Sequence, residues 1–311
     1  MPNYQGVWSL TTQMQNASAW PRPFASDVGL FAGGITVANI DFVSISTTGN
    51  AEDFGDLTVA RYYLSGLGSS TRGVFGAGHD YKDVIDFVTV SSTGNASDFG
   101  NLTLGSYHKG SASNNTRGLF IGGGNSSFLP IANIDYITIA SEGNALDFGD
   151  TTAAVTGLSG CASTTRGLYG GGNNTGGTKL NTIEYVTIGS TGNGSDFGDL
   201  TEARNFISSC SSSTRGIFGG GTGSANSNVI DYVTIASAGN ATDFGDLLNA
   251  DTQLAACSSE TRGLFSGGAN DLTVIQYITI ASTGNSTDFG DLTGSGKRLH
   301  GACSNVHGGI A

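Results

Sequence analysis

The chain has 311 residues, 50 of them glycine and only 4 proline, and a formal net charge of −12. Its 13 basic residues against 25 acidic ones exclude nucleic acid as an expected partner, because a phosphate-tracking surface needs clustered Lys and Arg. No stretch is apolar and long enough to cross a bilayer, so no membrane insertion is expected, and Met1 to Leu10 lacks the basic and apolar regions of a secretory signal. Synthesis in a cytoplasm fits, and so does a virion protein that is made there and works outside.

Residues 1–28 differ from everything after them. They hold both tryptophans, Trp8 and Trp20, and three of the four prolines, Pro2, Pro21 and Pro23. The segment is expected to be either a cap packed onto the rest of the chain or an attachment arm docking it onto a larger assembly.

From residue 29 onward the chain repeats itself. Asp-Phe-Gly recurs six times, with Phe54, Phe99, Phe148, Phe197, Phe244 and Phe289 spaced by 45, 49, 49, 47 and 45 residues. Thr-Arg-Gly recurs five times, at Arg72, Arg117, Arg166, Arg215 and Arg262, and His307 takes the sixth place by spacing. Gly-Asn recurs six times in the same frame, from Gly49-Asn50 to Gly284-Asn285. Periods of this length belong to propellers and helical arrays, and no 3.6-residue apolar period supports helices.

The fifth copy shows one unit. Ala203 to Ser213 predicts a first strand and Arg215 to Gly221 a second, ending in glycines. Val229 to Ile235 is β-branched and aromatic and predicts a third. Gly239-Asn240 predicts a turn, and Asp243 to Leu247 a short fourth strand. Four strands in each of six units predict an all-β fold, a six-bladed β-propeller of four-stranded antiparallel blades over residues 29–311. Residues 29–58 supply three strands of a blade and residues 297–305 one, so pairing them closes the ring and removes its open edges. Arg22 to Ser26 is a weaker rival for that place.

These repeats resemble kelch repeats. The resemblance rests on glycine pairs such as Gly33-Gly34 and Gly267-Gly268, and on the third-strand aromatics Phe42, Phe87, Tyr136, Tyr185, Tyr232 and Tyr277. It rests also on a fourth-strand aromatic followed by Leu and sometimes Arg, as in Phe197 to Arg204. Where kelch repeats usually carry Trp, this chain carries Phe throughout. The match covers about residues 29–306 and implies a fold, not a function.

No catalytic set stands out. Five arginines in one frame are what a fold requires, whereas an active site brings different groups together. Each Arg is expected to pair with a neighbouring Asp such as Asp150 or Asp199. Ser195 to Thr201 faintly resembles the Asp box of sialidases, with Ser195 one place too close to Asp196, which leaves a sialidase-like hydrolase as a remote alternative. Asp-Phe-Gly-Asp lacks the alternating oxygens of a calcium loop, and the glycine runs lack the Lys of a phosphate loop. Cys161, Cys210, Cys257 and Cys303 are spaced like the repeat and share a place with Leu67 and Ala112, so a buried apolar position is expected rather than disulfides. No cofactor, metal or enzymatic activity is expected.

Internal comparison separates scaffold from variation. Alternating strands put the loops between second and third strands on one face, together with the links between blades. The Thr-Arg-Gly and Gly-Asn turns share the other. The first set varies: Gly76 to Lys82, Gly122 to Phe128 and Gly219 to Asn228 differ in length and content. The loops carry His79, Tyr81 and Phe128, and the links carry Tyr62, Tyr63, Tyr107, His108 and Phe206. Aromatics beside polar groups suit sugar or protein surfaces, so this face is the candidate binding surface.

A second resemblance joins the two parts. Met-Pro-Asn-Tyr-Gln-Gly-Val-Trp-Ser-Leu-Thr-Thr-Gln, followed by Ile-Asp-Tyr-Val-Thr-Ile and Gly-Asn-Ala-Thr-Asp-Phe-Gly-Asp-Leu units, looks like virion proteins of marine phages, cyanophages among them. It implies a tail, fibre or decoration component located in the virion. It would contact other virion or tail proteins through its N-terminal segment and a cell-surface glycan or protein receptor through the variable face. A soluble lectin-like propeller is the alternative.

Overall fold

The structure, a computed structural model, describes residues 26–269, 273–294 and 297–310. These form six four-stranded antiparallel sheets and no helix. The fifth is typical, with strands Ser208–Ser211, Arg215–Gly219, Val229–Thr234 and Thr242–Asp246. The innermost strand of each sheet packs against those of both neighbours, so the six sheets surround one axis. The chain is a six-bladed β-propeller.

Closure follows the expected pairing. Gly301–Ser304 becomes the inner strand of the first blade and lies antiparallel to Val28–Ala32, with Gly29 opposite Ser304 and Ala32 opposite Gly301. The predicted inner strand Ala203 to Ser213 shortens to Ser208–Ser211. Arg204 is pulled into the interior and Phe206 adopts φ 53°, a left-handed turn that an extended strand cannot contain.

The core lies between blades rather than within them. In one cluster Cys161, Leu168, Ile183 and Phe197 of the fourth blade meet Phe218, Val233 and Ile235 of the fifth. Burying apolar area at about 25 cal/mol per Å² therefore stabilises the ring itself. The third- and fourth-strand aromatics form edge-to-face pairs in every blade, such as Tyr185 on Phe197 with centroids 6.0 Å apart at 75°. The four cysteines are free and buried, as the spacing implied. Burial pushes the Cys161 and Cys303 thiols up to about 12. A side chain on Gly216 of the next Thr-Arg-Gly would sit 3.0 Å from Cys161 Sγ, so a small inner residue and a glycine fit each other across the interface.

Two of the repeated motifs clasp one blade to the next. Gly239 N donates to Phe197 O at 2.7 Å, Ala241 N to Asp199 O at 2.7 Å, and Asp199 N to Asn240 Oδ1 at 3.1 Å. The same contacts join Gly49-Asn50 to Phe289 and Asp291, across the closing interface. Gly198 has φ 150°, and a Cβ there would lie 2.4 Å from Gly239 O. Asp-Phe-Gly and Gly-Asn recur in step because each is the other's partner.

The Thr-Arg-Gly arginines correct an expectation. They do not pair with Asp150 or Asp199. Arg215 lies 4.7 Å above the Tyr232 ring and donates to Ile280 O of the next blade at 2.9 Å. Arg72, Arg117, Arg166 and Arg262 do the same over Phe87, Tyr136, Tyr185 and Tyr277, bonding Ile139 O, Ile188 O, Ile235 O and Ile45 O. Among the described residues only Arg72 also meets an acid, Glu142 at 3.2 Å. A planar guanidinium can cover a ring and still reach a carbonyl, which half-buried Asp pairing would not achieve. His307 does not take the sixth place. Strand register gives it to Val28, opposite Ser44 as Arg72 is opposite Thr89.

Candidate functional site

The two faces separate as strand alternation requires. Link residue Tyr107 bridges loop residue Gly124, and His79 N bonds Tyr62 O at 2.7 Å, so links and variable loops share one face. Val28 begins a second strand, so the chain enters the propeller on the Thr-Arg-Gly face, opposite that one. Trp8 and Trp20, the proposed attachment residues, lie outside the described residues, as does most of Arg22 to Ser26.

At the centre of the variable face the six links form a closed cycle of hydrogen bonds. Tyr63 N donates to Leu299 O, His108 N to Tyr63 O, Gly157 N to His108 O, Phe206 N to Gly157 O, Gln253 N to Phe206 O and Leu299 N to Gln253 O, at 2.6–3.2 Å. All six residues have φ between 53° and 70°. A left-handed non-glycine residue costs about 1–2 kcal/mol, and five of the six are not glycine. The cycle holds that strain around the axis and fixes which side chains crowd the mouth.

Four of the six links are anchored from below by a charge partner in the following blade. Arg61 bonds Asp86 at 2.7 Å, Arg204 bonds Asp231 at 2.5 Å and Lys297 lies 3.2 Å from Asp41, all buried. Lys109 Nζ donates to Gly122 O at 2.8 Å and lies 4.0 Å from Asp135. Burial pushes this ammonium down to about 8 while Asp135 opposes the shift. In each of these four pairs a Thr from the preceding blade also donates to the carboxylate, as Thr201 does to Asp231 at 2.6 Å. Two blades depart together from the pattern. The fourth has Glu184 beside the buried Tyr169 hydroxyl, whose pKa is pushed up by burial first and by Glu184 second. In the sixth, Leu248 replaces the Thr and neutral Gln276 the Asp, and Gln276 Oε1 accepts from Leu248 N and Ser286 Oγ. The third-strand Asp in Ile-Asp-Tyr and the Arg after Leu-Thr are visible in the sequence, but nothing local to either marks them as partners.

On this base the aromatic candidates converge. Tyr62 stacks on His79 at 4.3 Å and 20°, and His79 Nδ1 lies 2.9 Å from Asp80. Tyr63 meets Tyr62 at 4.8 Å, Tyr107 at 5.8 Å and His108 edge-on at 3.5 Å. Tyr81 meets Tyr107 at 5.8 Å and Phe128 at 5.6 Å. Phe206 reaches across Gly157 to His108 at 4.7 Å. Tyr62, His79, Tyr81, Tyr107, His108, Phe128 and Phe206, with Tyr63, thus form one continuous patch from three links and two loops. Phe128 at its outer end is 74% exposed. Burial raises the Tyr62, Tyr63 and Tyr107 hydroxyls further above neutrality, so they stay protonated donors. His108, at the inner end, is pushed down to about 3 by burial and is neutral.

Beneath the mouth lies an axial cavity of about 120 Å³, lined by hydroxyls and inner-strand backbone. Serines lace the inner strands together: Ser211 Oγ donates to Ala162 O at 2.7 Å, Ser258 Oγ to Ser211 O at 2.8 Å and Ser304 Oγ to Ser258 O at 2.6 Å. At the far end residues His307–Ile310 lie across the axis. Gly309 N donates to His307 Nδ1, which leaves the proton on Nε2 facing Gly68 O at 3.2 Å. Burial pushes this imidazole down to about 4. The cavity therefore opens toward the aromatic patch and is obstructed opposite it.

The described residues contain no group of three or more His, Cys, Asp or Glu side chains placed to hold a metal. The class that fold and site define is a β-propeller with one invariant face and one variable aromatic face. No protein-family model matches the chain, and no curated protein matches it.

Proposed function

We propose that the protein is a non-enzymatic recognition module of a phage virion, contacting the host surface through the aromatic face. One observation carries the reading: eight rings from separate loops and links join into a single patch around the axis. Rings with polar edges supply large contact area at low entropic cost, as binding surfaces require. The repeated residues, by contrast, are consumed by blade-to-blade contacts. Val28 begins its strand at the other face, which suits an attachment arm before it that holds other virion or tail proteins while the patch points outward. The resemblance to marine phage proteins supplies the virion setting and the expected site of synthesis, the host cytoplasm.

The test has two arms. Antiserum against the chain should label phage particles, and labelled propeller should bind cells within a panel of cultured marine cyanobacteria. Alanine at Tyr81, Tyr107 and Phe128 should cut cell binding at least tenfold with thermal stability retained. Undiminished binding by that triple variant would remove the aromatic face from the account. Absence of the chain from particles would remove the virion role and leave a soluble lectin-like propeller.

A further inference from the structure

The aromatic patch and the axial cavity meet at the mouth, where Tyr63, His108 and Phe206 belong to both. Tyr107 spans the remaining distance, 6.3 Å from Phe128 and 5.4 Å from His108. A ligand two or three rings long therefore covers the patch and reaches the axis.

The cavity defines what can enter. At about 120 Å³ it has the volume of about four waters at ~30 Å³ each, enough for the hydroxyl-bearing edge of a ligand but not a large side chain. Ser65, Ser111, Ser159, Ser208 and Ser209 line it. Ser65 and Ser111 spend their protons on Lys109 O and Gly66 O and so retain acceptor lone pairs. At the collar His108 Nε2 and Gln253 Oε1 are buried without a hydrogen-bond partner among the described residues. Such an atom costs about 1–3 kcal/mol unless something satisfies it.

Among the described residues Lys109 is the one Lys, Arg, Asp or Glu in the cavity lining, and Arg298 acts on Tyr62 and Tyr63 from outside it. Lys109 turns its ammonium into its own blade, toward Gly122 O and Asp135. His300 Nε2 lies 2.9 Å from Ser266 Oγ, and burial pushes both His108 and His300 down to about 3. A charged ligand would lose its hydration there with no counter-charge in return. The lining instead matches a molecule with apolar C–H faces for the rings and many hydroxyls for the serines, backbone and Gln253.

We infer that patch and cavity form one site for a short neutral oligosaccharide, with a sugar ring stacked on Tyr81, Tyr107 and Phe128 and a hydroxylated edge lodged beneath the collar. This rests on the aromatic face being the recognition surface.

A glycan array carrying neutral and anionic oligosaccharides, followed by calorimetric titration with the best neutral one, tests it. Phe128→Ala should weaken binding about tenfold. Ala256→Leu, which fills the cavity from its wall, should weaken it more. Gln253→Leu, which removes the unpartnered amide oxygen, should cost about tenfold and serves if Ala256→Leu fails to fold. Preference for sialylated or sulfated glycans, or unchanged affinity in Gln253→Leu and a folded Ala256→Leu, would overturn the inference. A blank array with cell binding still sensitive to Phe128→Ala would overturn it too, while leaving the recognition role standing. Cell binding insensitive to Phe128→Ala would remove both.

Discussion

Replacing Arg204 by Leu tests how the links are held. Arg204 is fully buried and donates to Gly220 O at 2.8 Å, Val229 O at 2.7 Å and Asp231 Oδ2 at 2.5 Å. Its loss leaves Asp231 buried with Thr201 N and Oγ1 as its remaining side-chain-directed donors among the described residues. Breaking one side of such a pair costs about 3–5 kcal/mol, or about 6–10 °C in Tm at about 2 °C per kcal/mol for a large domain. The defect should depend on pH. Burial already raises the Asp231 pKa, with Arg204 the largest opposing influence, so removing Arg204 raises it further. A carboxyl with a raised folded pKa binds protons more tightly when folded, so stability falls as pH rises through the interval above the ordinary value of 3.8. The variant should therefore lie closer to wild type at pH 5 than at pH 8. The sixth blade suggests the rescue: Arg204→Leu combined with Asp231→Gln imitates its neutral Gln276 and should recover all but about 1–2 kcal/mol. Circular-dichroism melts across pH measure all three proteins. A single variant within 1 °C of wild type, or a defect that deepens as pH falls, would refute the reasoning.

Gly198→Ala forces a Cβ to within 2.4 Å of Gly239 O at φ 150° and should cost at least about 1–3 kcal/mol in a melt. Ala at exposed Gly189, where a Cβ meets nothing, should cost far less. His108, His300 and His307 have folded pKa values near 3, 3 and 4, below the ordinary 6.5. The unfolded chain then binds more protons, so stability is full above pH 6.5 and drains as pH falls toward 4. His307→Ala should flatten that slope, as urea midpoints at pH 7 and 4.5 would record. The four buried thiols should resist Ellman's reagent at pH 8 and react fully in guanidinium, since burial keeps them protonated. Rapid native labelling of all four would contradict the inner-strand packing.

Blade number, closure and the division of faces were legible in the repeats because each strand leaves its own local pattern and alternation settles direction. The shared place of Leu67, Ala112 and the four cysteines was legible for the same reason. Partners across blades were not. The sequence points Arg215 to a nearby Asp, whereas it bonds Ile280 O in the following blade. A backbone carbonyl carries no residue type, so no sequence pattern announces it. His307 matched the Thr-Arg-Gly spacing, yet the ring had already been completed by Gly301–Ser304, which freed the residues after it to cross the axis. The aromatic candidates were visible one by one. Their union was not, because it depends on six left-handed link residues, among them tyrosine, histidine and phenylalanine, held in a hydrogen-bonded cycle that only closure creates.

Hydroxyl-radical footprinting of the propeller, free and bound to cells, bears most directly on the division between an invariant scaffold face and a variable binding face. Protection should concentrate on Tyr81, Tyr107 and Phe128 and spare Tyr185 and Tyr232, the rings covered by the Thr-Arg-Gly arginines. Protection at Tyr185 and Tyr232 with Phe128 still oxidised as in the free protein would contradict it.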